Sequence, residues 1–85
     1  LFRDIEGGVF PVYPNPAKRS ITVGGLVFGD IVKIYTVDGN RIYKNERVDH
    51  VNLNIDISDY ASGMYLLVIE TEGNERVYKY FAKVR

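Results

Sequence analysis

The chain has 85 residues with eleven basic and eleven acidic side chains, so its formal net charge is zero. That length makes one domain with a thin core, since a chain of this size buries only about 60–65% of its unfolded surface; charge balance argues against a nucleic-acid binder, whose footprint is a basic excess. There is no cysteine, which excludes disulfides, thiol catalysis and cysteine-based zinc sites, and no apolar run approaches the roughly 20 residues of a membrane helix.

Leu1 to Gly8 carries charges that interrupt any apolar signal segment. It reads as a linker or strand lead-in (1–8) to a domain over 9–85. With no initiating Met, the chain is expected to be a piece of something longer. From there apolar residues recur with period two and no stretch holds a 3.6 period, so the expectation is all-β.

Val9–Tyr13 is the first expected strand. Pro11 and Pro14 cannot donate ladder hydrogen bonds, which places it at a sheet edge. Pro14, Asn15, Pro16 and Ala17 form a rigid turn, because each proline fixes its own φ and restricts the residue before it. Ser20–Val23 is a short strand ended by Gly24 and Gly25. Asp30–Val37 is a strong strand, with Val32 and Ile34 on one face and Ile31, Tyr35 and Val37 on the other. Asp38-Gly39 is a preferred two-residue hairpin dipeptide with φ > 0 at both positions, and Arg41–Lys44 returns antiparallel.

Val51–Ile57 alternates strictly, with Val51, Leu53, Ile55 and Ile57 inward and Asn52, Asn54 and Asp56 outward. Ser58 to Gly63 crosses over with one helical turn capped by Ser58. Met64–Ile69 is apolar on both faces and belongs at the centre of a sheet. Glu72-Gly73-Asn74 turns the chain, and Arg76–Val84 closes it. About seven short strands at such spacing predict an immunoglobulin-like antiparallel β-sandwich.

Chemistry-bearing patterns are few. His50 is the sole histidine, with no second ligand at metal-binding spacing, and reads as an exposed turn residue. The pairs Asp56/Asp59 and Asp4/Glu6 lack the cleft that paired catalytic carboxylates need. Asp38-x-Asn40 is explained by its hairpin, not by a calcium loop. Gly24, Gly25 and Gly29 precede no helix and no Lys-Ser or Lys-Thr, so they are loop glycines. Of the seven tyrosines, Tyr35, Tyr43, Tyr60, Tyr65, Tyr78 and Tyr80 are those that could line a common surface, and all fall on or beside expected strands. They are strand residues with an apolar body and a wet tip, or else a stripe that stacks sugars.

After Glu75 no acid follows, whereas Arg76, Lys79, Lys83 and Arg85 do. Lys79, Lys83 and Arg85 share a strand face with Val77 and Phe81. That mixture is either an edge strand guarded by lysines against aggregation or a display surface for a receptor.

Several of these pieces fall into one order. Tyr13-Pro14-Asn15-Pro16-Ala17 is followed by Ile21-Thr22-Val23. Val32-Lys33-Ile34-Tyr35 precedes Asp38-Gly39. Ile55-Asp56-Ile57-Ser58 leads to Ala61-Ser62-Gly63-Met64-Tyr65, and the end runs Tyr78-Lys79-Tyr80-Phe81-Ala82-Lys83. From about Val9 to Arg85 the chain resembles the type A C-terminal sorting domain of the type IX (Por) secretion system of Bacteroidetes. The resemblance implies a sandwich that folds in the periplasm and directs a larger cargo protein to the outer-membrane surface or the medium. It implies as partners the secretion machinery, a sortase-like protease that removes the domain, and an N-terminal cargo domain of the same chain. It further implies that Gly63 and Tyr65 of the Gly-x-Tyr element, with Lys79, Lys83 and Arg85 of the basic tail, are read as the signal. No cofactor, metal, small-molecule substrate or nucleic acid is called for. The competing expectations are an accessory sandwich that binds glycans or spaces a catalytic domain, and an enzyme. An exposed tyrosine stripe would favour the former; converging carboxylates around His50 would be needed for the latter.

Overall fold

The computed structural model describes the backbone of residues 3–6 and the whole of residues 10–45 and 51–85. Within these there are eight strands and no helix. They are β1 (Arg3–Glu6), β2 (Val12–Tyr13), β3 (Ser20–Val23), β4 (Ile31–Thr36), β5 (Arg41–Asn45), β6 (Leu53–Asp56), β7 (Gly63–Glu70) and β8 (Glu75–Lys83). Two sheets form, of order β1-β8-β7-β4-β5 and β2-β3-β6. Every pairing is antiparallel except β1 with β8, which is parallel. The larger sheet follows the G-F-C-C′ succession of immunoglobulin domains and the smaller one the A-B-E succession.

Alternation builds the core. Val32 and Ile34 of β4, Leu67 and Ile69 of β7, and Val77 and Phe81 of β8 point one way, onto Ile21, Val23 and Ile55 of the smaller sheet. Phe81 and Ile34 are completely buried; each contributes about 1.5–3 kcal/mol by leaving water. β7 lies between β8 and β4, as its two apolar faces require.

Several expectations need correction. Arg3–Glu6, read as linker or lead-in, pairs along β8 from Glu75 to Tyr78. Of the first expected strand, Val9 lies outside the described residues, Phe10 and Pro11 are not in a strand, and Val12–Tyr13 form β2, which does sit at a sheet edge. Val51, expected inward, is exposed, and β6 begins only at Leu53. Ser58 caps no helix: its N–H donates to Asp56 Oδ1 at 2.9 Å, and Tyr60 N–H donates to the Ile57 carbonyl. That local side-chain bond offers the backbone a turn instead of a helical start.

The hairpin at Asp38-Gly39 exists but is not the two-residue kind. Only Gly39 has positive φ, at 92°. The Gly39 N–H donates to the Thr36 carbonyl, Thr36 N–H donates to the Asn40 carbonyl, and Asn40 N–H donates to Thr36 Oγ1. This is a three-residue loop, a type I turn followed by a left-handed residue. The β7–β8 loop repeats it, with Thr71 for Thr36, Asn74 (φ 61°) for Gly39 and Glu75 for Asn40.

Candidate functional site

The resemblance singles out three sequence elements, around Pro14, Gly63 and the C-terminus. Strand direction brings all three to one end of the sandwich. Gly63 opens β7 opposite Lys83 of β8, and Ala17 bridges the same Lys83 from the other side.

The turn at Pro14 clasps the last strand. The Asn15 amide lies against the backbone of β8: its Oδ1 accepts the Ala82 N–H at 3.0 Å and its Nδ2 donates to the Tyr80 carbonyl at 3.4 Å. Ala17 continues the ladder, donating its N–H to the Ala82 carbonyl and accepting the Val84 N–H, both at 2.8 Å. Both the Tyr13-Pro14 and Asn15-Pro16 peptide bonds are cis. A side-chain amide carries one donor and one acceptor in the spacing of a peptide group, so Asn15 substitutes for a residue of a neighbouring strand. β8 is therefore not the open edge that the basic tail suggested: β1 covers its first half and the clasp its second.

The Gly-x-Tyr element has a structural job. The Tyr65 ring is buried and lies 5.6 Å from Phe81 and 5.2 Å from Tyr60, centroid to centroid. Its hydroxyl donates to the Ala61 carbonyl at 2.6 Å. A tyrosine at the start of this strand, bonded back to the backbone a few residues upstream, is the tyrosine corner of immunoglobulin-like folds. Gly63 stands between donor and acceptor with φ of 149° and open space where a Cβ would be. Its backbone requires glycine; neighbouring bulk does not.

The basic tail divides. Lys83 is only 7% exposed, and its ammonium donates to the Val84 carbonyl at 3.0 Å. It is thus not on display as a receptor surface would need; it sits in the inward row with Val77 and Phe81. Lys79, in that same row, is half-buried, and Arg85 is exposed. A lysine can occupy such a row because its methylene stem covers apolar surface while its ammonium reaches a polar atom.

The remaining candidates are dispersed. Asp56 is exposed and caps the turn at Ser58, whose N–H holds the carboxyl below its ordinary value of 3.8. Asp59 lies in that turn. His50 lies outside the described residues. Among the described residues, no group of three or more His, Cys, Asp or Glu side chains is placed to hold a metal ion. Sequence reasoning missed the clasp. Asn15 between two prolines marked a turn, but nothing local signals a partner 67 positions away.

The model of the secretion system C-terminal sorting domain family matches residues 11–83. The chain belongs to that family. A sorting domain of this family is a C-terminal signal for type IX secretion, and its cargo travels to the cell surface or the extracellular space. Its role is that of a signal and not of a catalyst. No curated protein is detectably similar in sequence. Among solved structures the chain is similar to PorZ, an essential surface component of the type IX secretion system of Porphyromonas gingivalis. The identity is 28% and the TM-score 0.78 over 89% of this chain. The chain spans only 11% of that protein's length.

Proposed function

We propose that the secretion machinery reads the clasped end of the sorting domain as a folded surface, not its tail as an extended peptide. Arg85, Lys79 and the turn at Gly63 are the parts a partner touches. Tyr65, Lys83 and Asn15 set that surface from beneath. The observation that carries this reading is the pair of hydrogen bonds between Asn15 and β8, which ties the first and last sequence elements into one unit. Upstream of the domain lies a cargo domain, the sandwich folds in the periplasm, and a sortase-like protease cuts near residues 1–8 or upstream of them.

Fusing the 85-residue chain behind a periplasmic fluorescent reporter tests this. In a host with type IX secretion the reporter reaches the surface or medium. In an otherwise identical host lacking an outer-membrane component of that system it stays in the periplasm. Equal export from both hosts would end the sorting reading.

A further inference from the structure

The outward face of the larger sheet holds a groove that the sorting role does not use. Its volume is about 570 Å³. Register sets its floor in two rows, Tyr35–Leu66–Tyr80 and Lys33–Val68–Tyr78. Tyr80 is 59% exposed, while Val68, between Lys33 and Tyr78, is buried. At one end, Lys33 Nζ lies 3.0 Å from each oxygen of Glu70, and Arg76 Nε lies 3.5 Å from Glu70 Oε2. Arg76 Nη1 also donates to the Tyr78 hydroxyl at 3.4 Å.

We infer that this groove binds a short neutral saccharide. A sugar ring is amphipathic in the same sense as the groove: its C–H faces are apolar and its rim carries hydroxyls that both donate and accept. Tyrosines supply flat apolar faces with wet tips, and the Lys33–Glu70–Arg76 group supplies donors and acceptors already fixed in place. Side chains held this way lose little freedom on binding. The volume lies within the roughly 300–1,000 Å³ of small-molecule sites. A peptide added as a strand needs unpaired backbone, and the floor strand β7 is paired on both sides, with β4 and β8.

The test is an NMR titration of the 85-residue chain with cellobiose and, separately, with chitobiose. The expected result is saturable movement of the Tyr78 and Tyr80 ring signals, with a Kd of roughly 1–10 mM for at least one sugar. Tyr80→Ala weakens that binding at least tenfold, whereas Asn54→Ala, at an exposed position of β6 in the smaller sheet, leaves it unchanged. Tyr35→Ala provides the same reading if Tyr80→Ala fails to fold. Absence of shifts with both sugars at about 50 mM, or affinity retained in the tyrosine variants, overturns the inference. Neither outcome depends on whether the domain directs secretion.

Discussion

Tyr65 shows how a single side chain can look like a signal and be a brace. Its hydroxyl satisfies the Ala61 carbonyl, and such a bond has a net worth of about 1 kcal/mol. Tyr65→Phe keeps the ring against Phe81, so it should lower stability by about 1 kcal/mol in thermal or urea unfolding and leave the fold intact. Asp30 makes a pH-dependent counterpart. Its carboxyl is buried; Oδ2 accepts the Val27 N–H at 3.0 Å, and Oδ1 has no hydrogen-bond partner among the described residues. Burial, opposed by that N–H and reinforced by Glu72, raises it above its ordinary 3.8. The folded chain therefore holds this proton more tightly than the unfolded chain. Its stabilising effect is complete below 3.8 and is lost as pH rises through the raised folded value. Unfolding free energy measured against pH should fall across that window, and Asp30→Asn should flatten the slope.

Among the elements, the two hairpins offer a matched test. Both loops place one residue in the left-handed region, Gly39 in the first and Asn74 in the second. Asparagine tolerates that region less well than glycine. Asn74→Gly should therefore stabilise slightly, and Gly39→Ala should destabilise by about 1 kcal/mol, both read from denaturant midpoints. The clasp is a second element with a measurable signature. Removing it with Asn15→Ala leaves the Ala82 N–H without its partner and should cost about 1–2 kcal/mol. Hydrogen exchange at Ala82 and Val84 should rise before exchange at Leu67 or Ile69 does.

These elements also mark how far the sequence was legible. β3 was readable to the residue, because Ile21 and Val23 alternate with polar neighbours between glycines and a rigid turn. β7 was readable as central from its two apolar faces. The hairpin type was not, since Thr36 decides it by accepting the Asn40 N–H through its side chain, a competition that the Asp-Gly dipeptide does not reveal. β1 was hidden because a four-residue charged segment gains its order from pairing along β8. The site was legible as three motifs and illegible as one surface: Asn15 and Ala82 meet only through the sandwich topology, and the alternation that put Lys83 on the face of Val77 and Phe81 did not reveal that its ammonium would reach the Val84 carbonyl.

For the whole molecule, these contacts change what an informative tail variant is. Deleting Lys79–Arg85 would remove Phe81, a completely buried ring, and large-to-small changes at such positions already cost about 3–5 kcal/mol. Truncation would thus confuse loss of signal with loss of fold. Lys79→Gln with Arg85→Glu alters the charge of the clasped end while leaving Phe81 and Lys83 in place. The decisive measurement is the surface-delivered fraction of a reporter carrying either the intact chain or this double variant, with folding of both checked by thermal melts. The account predicts that both fold, that the intact fusion reaches the surface, and that the variant stays in the periplasm at least tenfold depleted from the surface. Equal delivery of the two folded fusions would contradict it.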